Sequence, residues 1–216
     1  MKYISILLLL IPSYLYTQNA DEIINNVKKN IDLIDKFEAE FDLRIELQKF
    51  KIPDRKGKLF YEKPDSTRYE VEGFSMMPKQ GLGNYVNRIL NIDALLMYSG
   101  EVLINDNKAH IIKVIPKNND GDIVISTLCI DKKSYTVLKS EITTKNNGTF
   151  LVESAFIKIK DKYYLPSKTI ISFQVPKYKM PKAFTGDTRK QKEDKNPNSL
   201  TTKGKVIINY FNYKVN

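Results

Sequence analysis

The chain has 216 residues, of which 42% are hydrophobic and 28% charged. That balance suits one globular domain with a sizeable core and excludes a disordered chain. The net charge is +10, yet no zinc-ligand or RNA-recognition motif accompanies it, so nucleic acid is not an expected partner.

Residues 1–17 read as a secretory signal. Lys2 gives a positive start, residues 4–11 form a short apolar run, and Pro12 ends it. The run is too short to span a bilayer as a helix. Cleavage after Thr17 or after Ala20 fits equally, so the expected division is a signal over 1–19 and one domain over 20–216. No Cys follows the apolar run. The expectation is therefore a soluble exported protein without a lipid anchor.

Residues 20–35 predict an amphipathic helix. Ile24, Val27, Ile31 and Ile34 recur at three- and four-residue spacing, and Asp21 and Glu22 suit its positive N-terminal end. Such a stripe must lie on something, most simply the concave side of a sheet. The period then changes to two. Phe37, Ala39, Phe41, Leu43, Ile45 and Leu47 alternate with Glu38, Glu40, Asp42, Arg44, Glu46 and Gln48. This pattern predicts a strand with one dry face and one wet face. Residues 57–74 predict a hairpin, with Leu59 and Tyr61 on one strand, Tyr69 and Val71 on the other, and a turn at Pro64-Asp65-Ser66.

Residues 73–100 predict one or two short helices. Leu82, Val86, Ile89 and Leu90 lie at helical spacing, and Leu95, Leu96 and Met97 add apolar bulk. Met76, Met77 and Met97 supply soft surface that suits a core plug or a movable cover. A meander follows, with strands expected over 102–104, 110–115, 122–130, 134–144, 149–159 and 163–175. Turns are expected at Asn105-Asp106-Asn107, Asn146-Asn147-Gly148 and Lys160-Asp161. Residues 176–204 predict a basic loop, since 176–205 holds nine Lys or Arg against three Asp or Glu. A closing strand is expected over 205–215, for nine or ten strands in all.

Catalytic equipment is sparse. His110, the only histidine, is expected to be structural, and Cys129, the only cysteine, to be a buried core residue. There is no nucleophile elbow, phosphate-binding loop or metal-ligand cluster. The expectation is a binding protein, not an enzyme, with no cofactor and no metal. A sheet with one dry face and two helical segments can curl around an apolar cavity suited to acyl chains.

The order of signal, amphipathic helix, Phe37-x-Ala39-x-Phe41 strand and Gly57-x-Leu59-x-Tyr61-x-Lys63-Pro64-Asp65, followed by Arg68-Tyr69, resembles the periplasmic lipoprotein carrier family LolA and its receptor relative LolB. The specific match covers residues 21–73. Further on, Tyr163-Tyr164-Leu165-Pro166-Ser167 is similar to the broader lipoprotein-sorting-like proteins of Bacteroidota. The resemblance implies a mainly β fold with α: an incomplete antiparallel β-barrel, or half-barrel, with an N-terminal helix and a helical lid over an apolar cavity. It implies acylated lipoprotein or lipid cargo, an inner-membrane export complex, an outer-membrane receptor and a monomer. The expected lipid-binding residues are Phe41, Leu43, Ile45, Leu59, Tyr61, Tyr69, Val71, Met76, Met77, Leu82, Ile89, Leu90 and Leu95. Lys63 stands where the family has an Arg that holds the lid closed, but Lys lacks the rigid fork of Arg. The alternative is a lipid- or lipoprotein-sensing module that acts at the membrane surface through the basic loop.

Overall fold

The computed structural model describes residues 19–47, 50–63, 66–71, 85–118, 121–146, 148–176 and 201–215. It opens with α1 (Ala20–Asp32), capped by Asn19, whose side chain accepts the Asp21 amide at 2.9 Å. Asp21 and Glu22 occupy the first turn and Lys29 the last, in accord with the helix dipole. Ala20, Ile23, Ile24 and Val27 form the buried stripe.

The helix leads into β1 (Lys36–Leu47), where all six apolar odd positions are buried. Its two-residue partner β2 (Phe50–Lys51) pairs back on Glu46 and Leu47. The predicted hairpin forms as β3 (Arg55–Glu62) and β4 (Ser66–Val71), with Leu59 opposite Tyr69. Among the described residues a short helix, α2 (Tyr85–Asn91), precedes β5 (Ala94–Ile104). The meander continues through β6 (Asn107–Pro116), β7 (Ile123–Asp131), β8 (Val137–Thr144), β9 (Gly148–Ile159), β10 (Tyr163–Pro176) and β11 (Thr201–Val215).

The sheet order is β4-β3-β1-β11-β10-β9-β8-β7-β6-β5, with every pairing antiparallel. The last strand thus pairs with the first, and β4 and β5 are the two edges of an unclosed sheet. The expected half-barrel is what forms. Bulges help to coil it. One lies in β5 at Tyr98/Glu101, where Gly100 has φ of 109°, and another in β10 at Pro166/Lys168. The two-residue β5–β6 turn places Asn105 and Asp106 at positive φ, the conformation that such hairpins require, and Lys160 and Asp161 of the three-residue β9–β10 turn share it.

Three sequence expectations need correction. Leu95, Leu96 and Met97 belong to β5 and not to a helix; their burial alternates with period two. The run is apolar on both faces, so composition concealed the alternation. The 102–104 segment is the end of that eleven-residue strand. The loop expected over 176–204 is shorter, because β10 reaches Pro176 and β11 starts at Thr201, opposite it. The signal segment, Met76, Met77, Leu82, the Pro64-Asp65 part of the turn and residues 177–200 of the basic segment lie outside the described residues.

Candidate ligand cavity

The helix α1 lies across the concave face of the sheet and is tied to both sides of it. On one side Lys63, just past β3, donates its amide to the Asp35 carbonyl at 2.9 Å. Its ammonium meets the Asp32 carbonyl and pairs with the Asp35 carboxylate at 3.0 Å. On the other side the Asn30 side chain donates to the Ser134 carbonyl at 2.6 Å. That carbonyl sits in a turn built by Asp131, which accepts from the Lys133 amide, the Ser134 amide and the Ser134 hydroxyl at 2.7–2.9 Å. A carboxylate that satisfies several local donors fixes such a turn firmly.

Between α1 and the sheet is a cavity of about 200 Å³. The helix supplies Val27, Asn30 and Ile31, at three- and four-residue spacing on one face, and Ile34, just past its C-cap, continues the lining. The first hairpin supplies Leu59, Tyr61, Thr67 and Tyr69. The opposite wall comes from β8, β9 and β10, through Val137, Val152, Ser154, Phe156, Tyr164 and Leu165. Phe37, Thr169 and Tyr210 add to the floor, and Val86 and Asn87 of α2 approach from above. No Lys, Arg, His, Asp or Glu is among the described lining residues.

Aromatic rings stiffen the floor. Phe37 stacks on Tyr61 at 5.2 Å between centroids, and Phe41 meets Tyr69 edge-on at 5.8 Å and Tyr210 at 6.2 Å. Phe41 is fully buried, and its ring lies over Gly57, its cross-strand partner. A ring over a strand glycine restores packing that the glycine lacks. Burial pushes the Tyr69 phenol up to about 12 and the Tyr210 phenol well above its ordinary range, so both stay protonated near neutral pH.

Of the thirteen residues expected to bind lipid, Leu59, Tyr61 and Tyr69 line this cavity. Phe41 stands directly behind Tyr69 and Tyr210. Leu43 and Ile45 are core residues of β1, and Val71 borders a separate groove with Lys56, Lys58 and Glu70. Ile89 and Leu90 are buried where α2 meets α1 and β5. Leu95 faces outward on the edge strand, 53% exposed. Met76, Met77 and Leu82 lie outside the described residues. Lys63 contacts the end of α1, as described above. The wall from β8 to β10 escaped the sequence reading. Val152, Ser154 and Phe156 do alternate, but nothing local says which face of that strand turns inward.

His110 and Cys129 lie away from the cavity, on β6 and β7. His110 is 4% exposed, edge-on to Tyr98 at 5.9 Å, and its Nδ1 has no partner among the described residues. Burial holds its pKa below the ordinary value, helped by nearby Lys132. Burial pushes the Cys129 thiol up, which makes it less reactive. No three His, Cys, Asp or Glu side chains among the described residues are placed to hold a metal. No described helix is long and apolar enough to cross a membrane.

No family model matches the sequence, and no curated protein does. The fold, however, has close likenesses among solved structures. A domain from Vibrio parahaemolyticus assigned to outer membrane lipoprotein sorting superposes with a TM-score of 0.57 at 10% identity, over 91% of this chain and 93% of that one. A DUF1329 family protein from Desulfovibrio piger matches with the same TM-score, identity and coverage. A LolA superfamily protein from Nitrosomonas europaea gives 0.52 at 10% identity, again over 91% and 93%. The architecture is therefore a LolA-like half-barrel. At this identity the likeness establishes the fold and leaves the activity to the site.

Proposed function

We propose that this protein is a periplasmic carrier that holds acyl chains of lipoproteins or lipids for transfer to the outer membrane. The observation that carries the reading is the cavity itself: largely apolar, free of charge among its described residues, and bordered by a helix pinned on both sides. A water-sized group occupies ~30 Å³, so about 200 Å³ takes roughly six methylenes. At ~0.8 kcal/mol each, that contributes about 5 kcal/mol of favourable transfer, enough for reversible carriage. Carriage needs no catalytic group, in keeping with a binding protein. The proposed partners are acylated cargo, an inner-membrane export complex that delivers it and an outer-membrane receptor that takes it. The likeness to lipoprotein-sorting structures supports this direction.

The test is native mass spectrometry of protein purified from periplasm without detergent, followed by lipid extraction. A co-purifying acylated species is the expected result. A clean apo mass that persists after incubation with a triacylated peptide would remove the carrier reading.

A further inference from the structure

The two edges of the sheet are guarded differently. β4 is six residues long, and its exposed Arg68 and Glu70 form an ion pair at 3.4 Å, with the Arg68 guanidinium 4.6 Å from the centre of the Phe60 ring. Charges on a short edge discourage another strand from joining it. β5 is eleven residues long and contains no Lys, Arg or Pro. Its one charge, Glu101, is held by Lys132 at 2.5 Å. Seven large hydrophobic side chains are exposed among the described residues, and Leu95, Met97, Val102 and Leu103 of β5 are four of them. Among the described strands β5 pairs with β6 alone, so its other side offers backbone donors and acceptors to a further strand.

The bulge between Tyr98 and Glu101 divides this edge and leaves residues 94–98 as a regular run. There Leu95 and Met97 are exposed, beside Ile115 and Lys113 of β6, while Ala94, Leu96 and Tyr98 pack on the core. A second copy can add to the edge about a two-fold axis, as in isologous dimers. Residues directly opposite in antiparallel strands share a face, so odd positions must meet odd ones. Centring the axis on Leu96 is the register that pairs the whole regular run. It sets Leu95 opposite Met97 of the second copy and Ala94 opposite its Tyr98, and it leaves Glu101 beyond the paired residues. Charge favours the same strip. The chain carries +10, so copies repel in most approaches, whereas residues 94–98 carry no charge.

We propose that β5 is a self-association edge, and that two copies join by antiparallel pairing of residues 94–98 into one continuous sheet. The outer face of the joint is an apolar patch of Leu95, Met97 and Ile115 from each copy. Pairing five residues a side gives an interface of less than about 1,200 Å² in total, which places the association in the micromolar range. The monomer that the resemblance implies is then the dilute form of the same protein. No β5 residue is among the described lining of the cavity under α1, so the pairing stands apart from carriage.

Sedimentation velocity of the protein purified from periplasm, from about 1 μM to about 100 μM, is the test. A monomer–dimer equilibrium is expected, strengthened by added salt, because screening weakens the repulsion between two positive chains. Met97→Glu sets a carboxylate beside Lys113, which suits the single copy, and against Leu95 of the second copy. It should weaken dimerisation at least about tenfold. Leu103→Glu is the matched control: it also faces a lysine, Lys108, but lies beyond the bulge, and it should leave dimerisation unchanged. Disulfide cross-linking reads the register and decides the matter should Met97→Glu fail to fold. Leu95→Cys mixed with Met97→Cys should cross-link faster than either variant alone, and the native Cys129 is buried. A monomer at the highest concentration, open-ended larger oligomers, Leu103→Glu as damaging as Met97→Glu, or equal cross-linking of mixed and single Cys variants overturns the proposal.

Discussion

Gly57→Ala tests how the floor of the cavity is supported. A Cβ at this position would lie 2.4 Å from Phe41 Cζ and 2.5 Å from the Glu70 carbonyl oxygen. Both contacts are far inside van der Waals distance, and neither neighbour yields easily. Phe41 is fully buried between Tyr69 and Tyr210, and the Glu70 carbonyl is backbone of β4. Overpacking of this kind costs about 1–3 kcal/mol, offset by about 0.4–1 kcal/mol from the restricted unfolded chain. With backbone involved, the upper half of the range applies, for a net loss of about 2 kcal/mol. Near the midpoint that lowers Tm by roughly 4–8 °C for a domain of this size.

Gly204→Ala is the internal control. Its Cβ would lie 2.4–2.6 Å from the Phe173 ring and the Leu47 Cδ2, which are side-chain atoms only, and the Phe173 ring is half-buried. That variant should lose about 1 kcal/mol or less, the lower end of the same range. Thermal melts followed by circular dichroism, with urea titrations, decide between them. A Gly57→Ala variant as stable as the parent, or less affected than Gly204→Ala, would refute the reasoning.

Two further predictions concern charge. His110 is held neutral by burial, so its folded pKa lies below the ordinary 6.5, with Lys132 reinforcing this and Glu101 and Asp131 opposing it. Above 6.5 the group is neutral in both states. As pH falls through 6.5 towards the folded pKa, the unfolded chain takes the proton more readily and stability is lost. His110→Gln should flatten the fall in Tm between pH 7 and pH 5, and parallel profiles for the two proteins would count against it. Lys63→Met removes the exposed Asp35 pair and the tie to the Asp32 carbonyl. About 1 kcal/mol of stability should go, and amides at the end of α1 should exchange faster. Unchanged exchange there would mean that Lys63 does not pin the helix.

Periodicity carries much of this fold. The six alternating apolar residues from Phe37 to Leu47 have room for only one dry face, and all six are buried. The spacing of Ile24, Val27 and Ile31 likewise determined a helix with one stripe, although it ends at Asp32 and leaves Ile34 beyond it, and Asn105-Asp106 and Lys160-Asp161 determined where the chain reverses. Those are short-range facts, fixed by sterics within a few residues. Local pattern failed where a segment was apolar on both faces, as at Leu95–Met97, because an edge strand and a helix then read alike. The cavity was legible on one side only. Leu59, Tyr61 and Tyr69 sit on a hairpin whose inward face the sequence reveals, whereas Ser154, Thr169 and Tyr210 come together through pairings between strands as far apart as β9 and β11. Which side of a strand turns inward there depends on the coiling of the whole sheet and on where α1 is pinned. Only the tertiary structure decided that Ser154, Thr169, Tyr210 and Tyr69 line one cavity, because the register that brings them together is set by long-range hydrogen bonding between strands and not by any local preference.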